Sequence, residues 1–271
     1  MPFDIALTAR PPGPSRLSEL QAWALFPPDP ARRHETPMLL YALGFYGCYL
    51  VAIAGWVPMW AAGVLGVIFL FRDFNQAHEM MHADAKGERR WHPARALLIV
   101  QGPLYPGYRE MRELHLLHHR EEGTARDPDK RMMSDSPLRA FFWCVLQPEL
   151  YVVEYVRRFG VSRKFAVGMA ARSAVYFTLM WLGGWWGFVM FNAMTRIGNG
   201  LIFFVFSWVV HQPYFWGQVR PPRVPDFIAW LWVKLVGFDN FVGIRFHFLH
   251  HVFPHIPDRH LPEVSRRLAF D

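Results

Sequence analysis

The chain has 271 residues, of which 52% are hydrophobic and 17% aromatic, including 24 Phe and 12 Trp. That is more apolar surface than a soluble core of this size needs, and it predicts an all-α integral membrane protein. The formal charge of +7 accompanies no nucleic-acid motif, so the basic residues are read as orienting the chain and attracting anionic lipid, with no nucleic-acid partner. With only Cys48 and Cys144 present, a disulfide framework is excluded and any metal ligands must be histidines.

Residues 1–37 form a Pro-rich arm without the features of a signal peptide, expected on the cytoplasmic side, with an amphipathic piece over Leu17–Phe26 that suits a membrane surface. From Thr36 to Phe71 there is no Asp, Glu, Lys or Arg, too long a stretch for one span, so residues 38–82 read as a hairpin turning near Trp56-Val57-Pro58. Its second helix, Met59 to His82, would be roughly 36 Å long, about 6 Å more than the hydrocarbon core, which carries His78 and His82 beyond the membrane. Residues 83–164 hold 15 Lys and Arg residues and are placed in the cytoplasm by the positive-inside rule. Within them Tyr108–His119 reads as helix and Gly123–Pro128 as a break, while Leu138–Val153, interrupted at Gln147-Pro148-Glu149, suits an interfacial or re-entrant helix.

A second hairpin is expected over 165–211, turning at Gly183–Gly187, with Arg172 and Arg196 its only charges. Arg196 near mid-span needs a partner: backbone carbonyls, Asn192 or Asn199, or a polar substrate group, unless the helix begins late enough to leave it at the outer turn. The remainder, 212–271, reads as a cytoplasmic cap with an interfacial segment at Ile228–Val236 and a helix over Phe241–Phe253. The fold expected is one domain over 1–271: four transmembrane helices in two hairpins beneath a cytoplasmic helical cap.

Three histidine clusters stand at the ends of these segments: His78 and His82 in HEMMH, His115, His118 and His119 in HLLHH, and His247, His250 and His251 in HFLHH. Residues three or four apart share a helix face, so each cluster can aim its imidazoles at one point. Together they supply eight nitrogen ligands, and His211, after an apolar run, is a candidate ninth: enough for a two-metal site at a membrane face. His34, His92, His255 and His260 are read as non-ligands.

Other readings account for less. HEMMH alone matches the zinc-protease signature, but an intramembrane metalloprotease leaves the second and third clusters unexplained. A haem-binding electron carrier needs histidine pairs on facing spans rather than compact triplets at helix ends. A metal transporter needs acidic residues along a path through the bilayer, and the charge-free stretches hold none. Imidazole suits several transition metals, so the ligands alone leave iron and zinc open; the pairing of two metals points to dioxygen chemistry.

The three boxes, their order and the two hairpins resemble the membrane fatty acid desaturase and hydroxylase superfamily over about residues 60–265. The extended second box HLLHHREEGTARDPD, the FVFSWVVHQP around His211, and HHVFPHIPDRHLP from His250 to Pro262 resemble the bacterial carotenoid ketolases in particular. The resemblance implies two iron ions bound by His78, His82, His115, His118, His119, His211, His247, His250 and His251, O2 as co-substrate, and an electron donor such as ferredoxin or cytochrome b5. It implies hydrogen abstraction from an unactivated carbon of a lipid, with fatty acyl desaturation as the first reading and carotenoid ketolation or hydroxylation as the alternative. The chain departs from animal acyl-CoA desaturases in having three residues between the first-box histidines instead of four, and Ser207 where they have Asn. Because metal-bound histidines commonly donate their second nitrogen to a carboxylate, Asp84, Asp127, Asp129 and Asp239 are candidates for orienting the imidazoles.

Overall fold

The computed structural model describes residues 25–83 and 99–270, apart from Pro28, Ala31 and Pro222. Most of the expected amphipathic piece Leu17–Phe26, together with Asp84 and His92, lies outside the described residues. Among the described residues the regular structure is entirely helical: α1 Arg32–Ile53, α2 Met59–Ala83, α3 Tyr108–Glu121, α4 Pro137–Val145, α5 Gln147–Phe159, α6 Arg163–Phe203, a π-helical turn Phe204–Val209, α7 Asp226–Leu235, α8 Phe238–Arg245, α9 His247–Val252 and α10 Leu261–Phe270.

Helices α1 and α2 pack side by side after the turn at Trp56-Val57-Pro58, with Tyr41 and Phe69 in ring contact and the Arg72 guanidinium over the Tyr41 ring. Helix α6 is interrupted at Gly184, whose φ of 56° and ψ of −156° are open to a residue without Cβ. The chain reverses there. Tyr176 donates to Asn192 at 3.0 Å, whereas sixteen residues of straight helix would hold them roughly 24 Å apart. Tyr49 of α1 joins the two pairs by donating to the Leu179 carbonyl at 2.7 Å and packing edge-on against Phe191.

Among the described residues two helical stretches are long and apolar enough to cross a membrane, Arg32–Ile53 and Arg163–Val209. Helix α2, expected as a span, is apolar only in its first half. Its second half carries Arg72, Asp73, Asn75 and Glu79, and the last three are buried, because that end of the helix enters the polar interior instead of lipid.

The apolar stretch at 138–153 forms two short helices that meet at Leu146. The Gln-Pro-Glu interruption has a purpose visible in space. Glu149 receives both guanidinium nitrogens of Arg196, Nη1 at 2.7 Å, and the Val145 carbonyl adds a contact at 3.4 Å. Arg196 therefore pairs with a carboxylate from the segment between the helix pairs, and not with Asn192 or Asn199. Asn192 binds Tyr176 and the Phe188 carbonyl, while Asn199 donates to the Cys144 carbonyl at 2.9 Å. Arg172 likewise reaches out of α6 to the Tyr105 carbonyl at 2.8 Å.

The expected single helix over Phe241–Phe253 is two. Phe246, at φ −109° and ψ 25°, leaves the helical region and separates α8 from α9. Phe246, Phe248, Leu249, Phe253, Ile256, Leu261 and Val264 form a second, smaller core with Phe26, distinct from the large one between α1, α2 and α6.

Arg196→Met leaves Glu149 without its partner between helices and is expected to cost about 3 kcal/mol or more, whereas adding Glu149→Gln should recover part of that loss. Thermal unfolding in detergent of both single variants and the double variant measures this; equal losses in all three would contradict it.

Candidate metal centre

The chain brings nine histidines to one place, where the ends of α2, α3, α6 and α9 converge. From α2 come His78 and His82, one turn apart; from α3, His115, His118 and His119; from α9, His247, His250 and His251. His211 comes just after the π-helical turn, in which the Val210 N–H reaches back five residues to the Val205 carbonyl. That widened turn, a form common at functional sites, ends next to the imidazoles.

The nine divide into two groups. His78, His82, His115, His119 and His250 present ring nitrogens within 4.8 Å of one another, and so do His118, His211 and His251. His247 joins the second group, its Nε2 lying 3.0 Å from Nε2 of His251. In the first group Nε2 of His115 lies 2.8 Å from Nε2 of His82 and 3.1 Å from Nε2 of His119. A neutral imidazole has one N–H and one lone pair, so Nε2 of His115 can share a proton with only one of the two nitrogens it faces. Both nitrogens of His78 and Nδ1 of His119 are buried without a hydrogen bond, a costly state unless a cation is present. Two imidazoles bound to one metal at about 2.1 Å and at right angles have nitrogens about 3.0 Å apart, so the spacing fits shared metal ions.

The electrostatics agree. Burial, reinforced by neighbouring imidazoles, holds His115, His119, His247 and His251 well below the ordinary histidine pKa, and burial brings His250 down to about 3, so these rings are neutral and keep lone pairs. His118 differs. Burial opposes its charge, but Asp127 and Asp129 outweigh it and lift the pKa to about 9.

Of the candidate orienting acids, Asp127 accepts from His118 Nδ1 at 2.9 Å and also closes its own turn by accepting from the Gly123 and Asp129 N–H groups. Asp129 stands farther off, 4.0 Å from His118 Nδ1, and accepts from Tyr151 at 2.6 Å and from Ser207 at 3.2 Å. Asp239 makes no hydrogen bond to an imidazole among the described residues and acts electrostatically on Asp258 and Arg259.

Two acids that the sequence did not single out do touch imidazoles. Asp258 lies 3.3 Å from His250 Nδ1. It packs against Gly243, where any Cβ would collide with its carboxylate, and burial pushes its pKa up. Glu122 lies 3.0 Å from His251 Nδ1 and 3.3 Å from His211 Nε2. Among the histidines read as non-ligands, His34 faces Gln76 at 3.0 Å and Asp29 at 3.5 Å, and His260 stacks obliquely on Phe26.

Beside the imidazoles a small cavity of about 30 Å³ is walled by Phe74, Met81, Met111, Tyr151, Phe203 and Phe206, with Asp129 and Ser207 as polar points. His78 and His115 of the first group and His118 and His247 of the second line it, so this space touches both groups.

A two-group polyhistidine cluster that could hold metal ions stands at the end of an apolar helical core. The chain belongs to the fatty acid desaturase family, whose model matches residues 54–269, and it is accordingly an oxidoreductase of the membrane desaturase or oxygenase type. A curated relative is the beta-carotene ketolase of Paracoccus sp. (strain N81106 / MBIC 01143), 28% identical over 200 residues that cover 70% of this chain and 72% of the relative. No solved structure matches.

Loading metal into apo-protein should release about one proton per chain at neutral pH, because His118 then carries a proton that a metal must displace. The release should fall toward zero above pH about 9, where His118 is already neutral. In Asp127→Asn, the loss of the neighbouring charge should diminish it at neutral pH. Calorimetric titration in buffers of different ionisation enthalpy counts these protons.

Proposed function

We propose that this chain is an O2-dependent di-iron enzyme that acts on an unactivated C–H bond of a lipid, with desaturation of a fatty acyl chain as its reaction. The observation that carries the reading is the apolar cavity lined by imidazoles of both groups. In this reading His78, His82, His115, His119 and His250 hold one iron and His118, His211, His247 and His251 the other. The irons, when bound, supply the reduction of O2, with two electrons from an external carrier such as ferredoxin or cytochrome b5, and the oxidising power to remove hydrogen.

What the chain supplies is position and exclusion. Phe74, Phe203 and Phe206 keep water from the reacting carbon and lay an extended chain along the imidazoles. Asp127 orients His118 by accepting its Nδ1–H, while Asp258 stands 3.3 Å from His250 Nδ1 without a hydrogen bond to it. Four membrane spans, α1, α2 and the two halves of α6, would set the site at the cytoplasmic face, with residues 83–164 and 212–271 as its cap; the charge-free outer turns and the basic 83–164 segment support that orientation.

A second reading, ketolation or hydroxylation of a carotenoid, is favoured by the Paracoccus relative. The imidazoles serve either reaction. The difference has to lie in how the substrate is held.

Purified wild-type protein should carry about two irons per chain, with His118→Ala losing at least one, by elemental analysis and Mössbauer spectra. One zinc per chain, indifferent to His118, would sink the di-iron reading. Expression in a carotenoid-producing host separates the substrates: new double bonds in membrane acyl chains with unchanged pigments support desaturation, whereas pigments heavier by inserted oxygen support the second reading.

A further inference from the structure

We infer that Glu122 is a positioning residue for one metal only, holding His211 and His251 of the second group and tuning the iron they bind; the inference rests on the di-iron reading. Glu122 is the residue at which α3 ends, its backbone at φ −44° and ψ 132° turning out of the helix three residues beyond His119. The turn brings its carboxylate between two other elements. Oε2 lies 3.0 Å from Nδ1 of His251, on α9, and Oε1 lies 3.3 Å from Nε2 of His211, beyond the π-helical turn. One side chain thus links the second box, the isolated histidine and the third box.

The opposite edge of the His251 ring explains the direction of the effect. Its Nε2 faces Nε2 of His247 at 3.0 Å, which turns the Nδ1 edge toward Glu122; the contact is one of proximity and charge, since neither His251 Nδ1 nor His211 Nε2 has a hydrogen-bond partner among the described residues. A carboxylate on the outer nitrogen fixes the tautomer and makes the inner nitrogen a stronger donor. His118, in the same group, is already served by Asp127. His78, His82, His115, His119 and His250 have no contact with Glu122 among the described residues, and Asp258 is the acid beside His250. The influence of Glu122 therefore falls on one side of the pair.

Burial gives the contact weight. The carboxylate is 18% exposed and the two imidazole side chains 5% and 6%, so water competes little for either partner. The neighbouring Glu121 has a different surrounding, lying 3.7 Å from Arg120 on the outer side of the same helix end. It serves as the control.

The test uses full-length protein purified with its iron, as wild type, Glu122→Gln, Glu122→Ala and Glu121→Ala, read by iron content, Mössbauer spectra and stepwise reductive titration. In Glu122→Ala one iron should be held about 10 to 100-fold more weakly while the signal of the other persists. Glu122→Gln should retain the fold and both irons, with one signal altered and one of two reduction potentials raised, because an amide donates less charge through the imidazole. Glu121→Ala should match wild type. If Glu122→Ala does not fold, the Gln variant decides. Wild type with two irons and a Gln variant with unchanged potentials and spectra overturns the inference while leaving the di-iron reading intact, as does an equal change in both signals. Wild type without two irons overturns both.

Discussion

Nine buried imidazoles whose nitrogens face one another are the constraint around which the rest of the chain is arranged. Several ring nitrogens in the cluster have no hydrogen-bond partner among the described residues, and burial keeps most of the rings neutral. Cations held inside the cluster would take up the free lone pairs, and the chain brings four separate helix ends to within a few ångströms to form it. Helix α2 is longer than its apolar half requires, α6 ends in a widened turn, and α9 is only six residues long; each irregularity places an imidazole.

Charge elsewhere is organised to the same end. Arg172 and Arg196 sit in a long apolar stretch, where an unpaired guanidinium would be costly, and each draws a separate piece of the intervening segment onto α6. Glu149 can meet Arg196 because a Gln-Pro-Glu step separates α4 from α5. The same intervening segment contains α3, so the tethers that neutralise two arginines also fix the helix bearing the second box. Acids nearer the centre lie on the outer edges of the rings: Asp127 on His118, Asp258 by His250, Glu122 by His211 and His251.

How much of this could be read in the sequence depended on range. The histidine spacing reflects 3.6 residues per turn, and the reversal at Gly184 lies within the Gly183–Gly187 turn expected between two apolar runs; both are local signals. Asp127 was legible for the same reason, since it closes a turn a few residues from the imidazole it binds. Glu122 and Asp258 were not. Glu122 sits among charged residues at a helix end and acquires its partners from segments about 90 and 130 residues later, while Asp258 depends on a glycine fifteen residues earlier for the room it occupies. The break at Phe246 was also hidden, because its apolar neighbours read as a continuous helix face and only the second core, packing Phe246 and Phe248 together, requires the chain to bend.

The arrangement also explains why the ligands say little about the substrate. The acids beside the clustered imidazoles, Asp127, Glu122 and Asp258, face ring nitrogens, where a carboxylate would bear on how firmly a metal is held. The cavity wall is a different set of residues, made mostly of Phe and Met, which an extended hydrocarbon satisfies without hydrogen bonds. Its polar exception is the buried cluster of Asp129, Tyr151 and Ser207, joined by hydrogen bonds of 2.6 and 3.2 Å. The two sets of residues overlap at His78, His115, His118 and His247, which line the cavity, and of these His118 also contacts Asp127 and stands near Asp129. A fold built this way can keep its oxidising centre while the cavity wall changes, and that wall, with Ser207 in it, is where differences of reaction outcome have to be encoded.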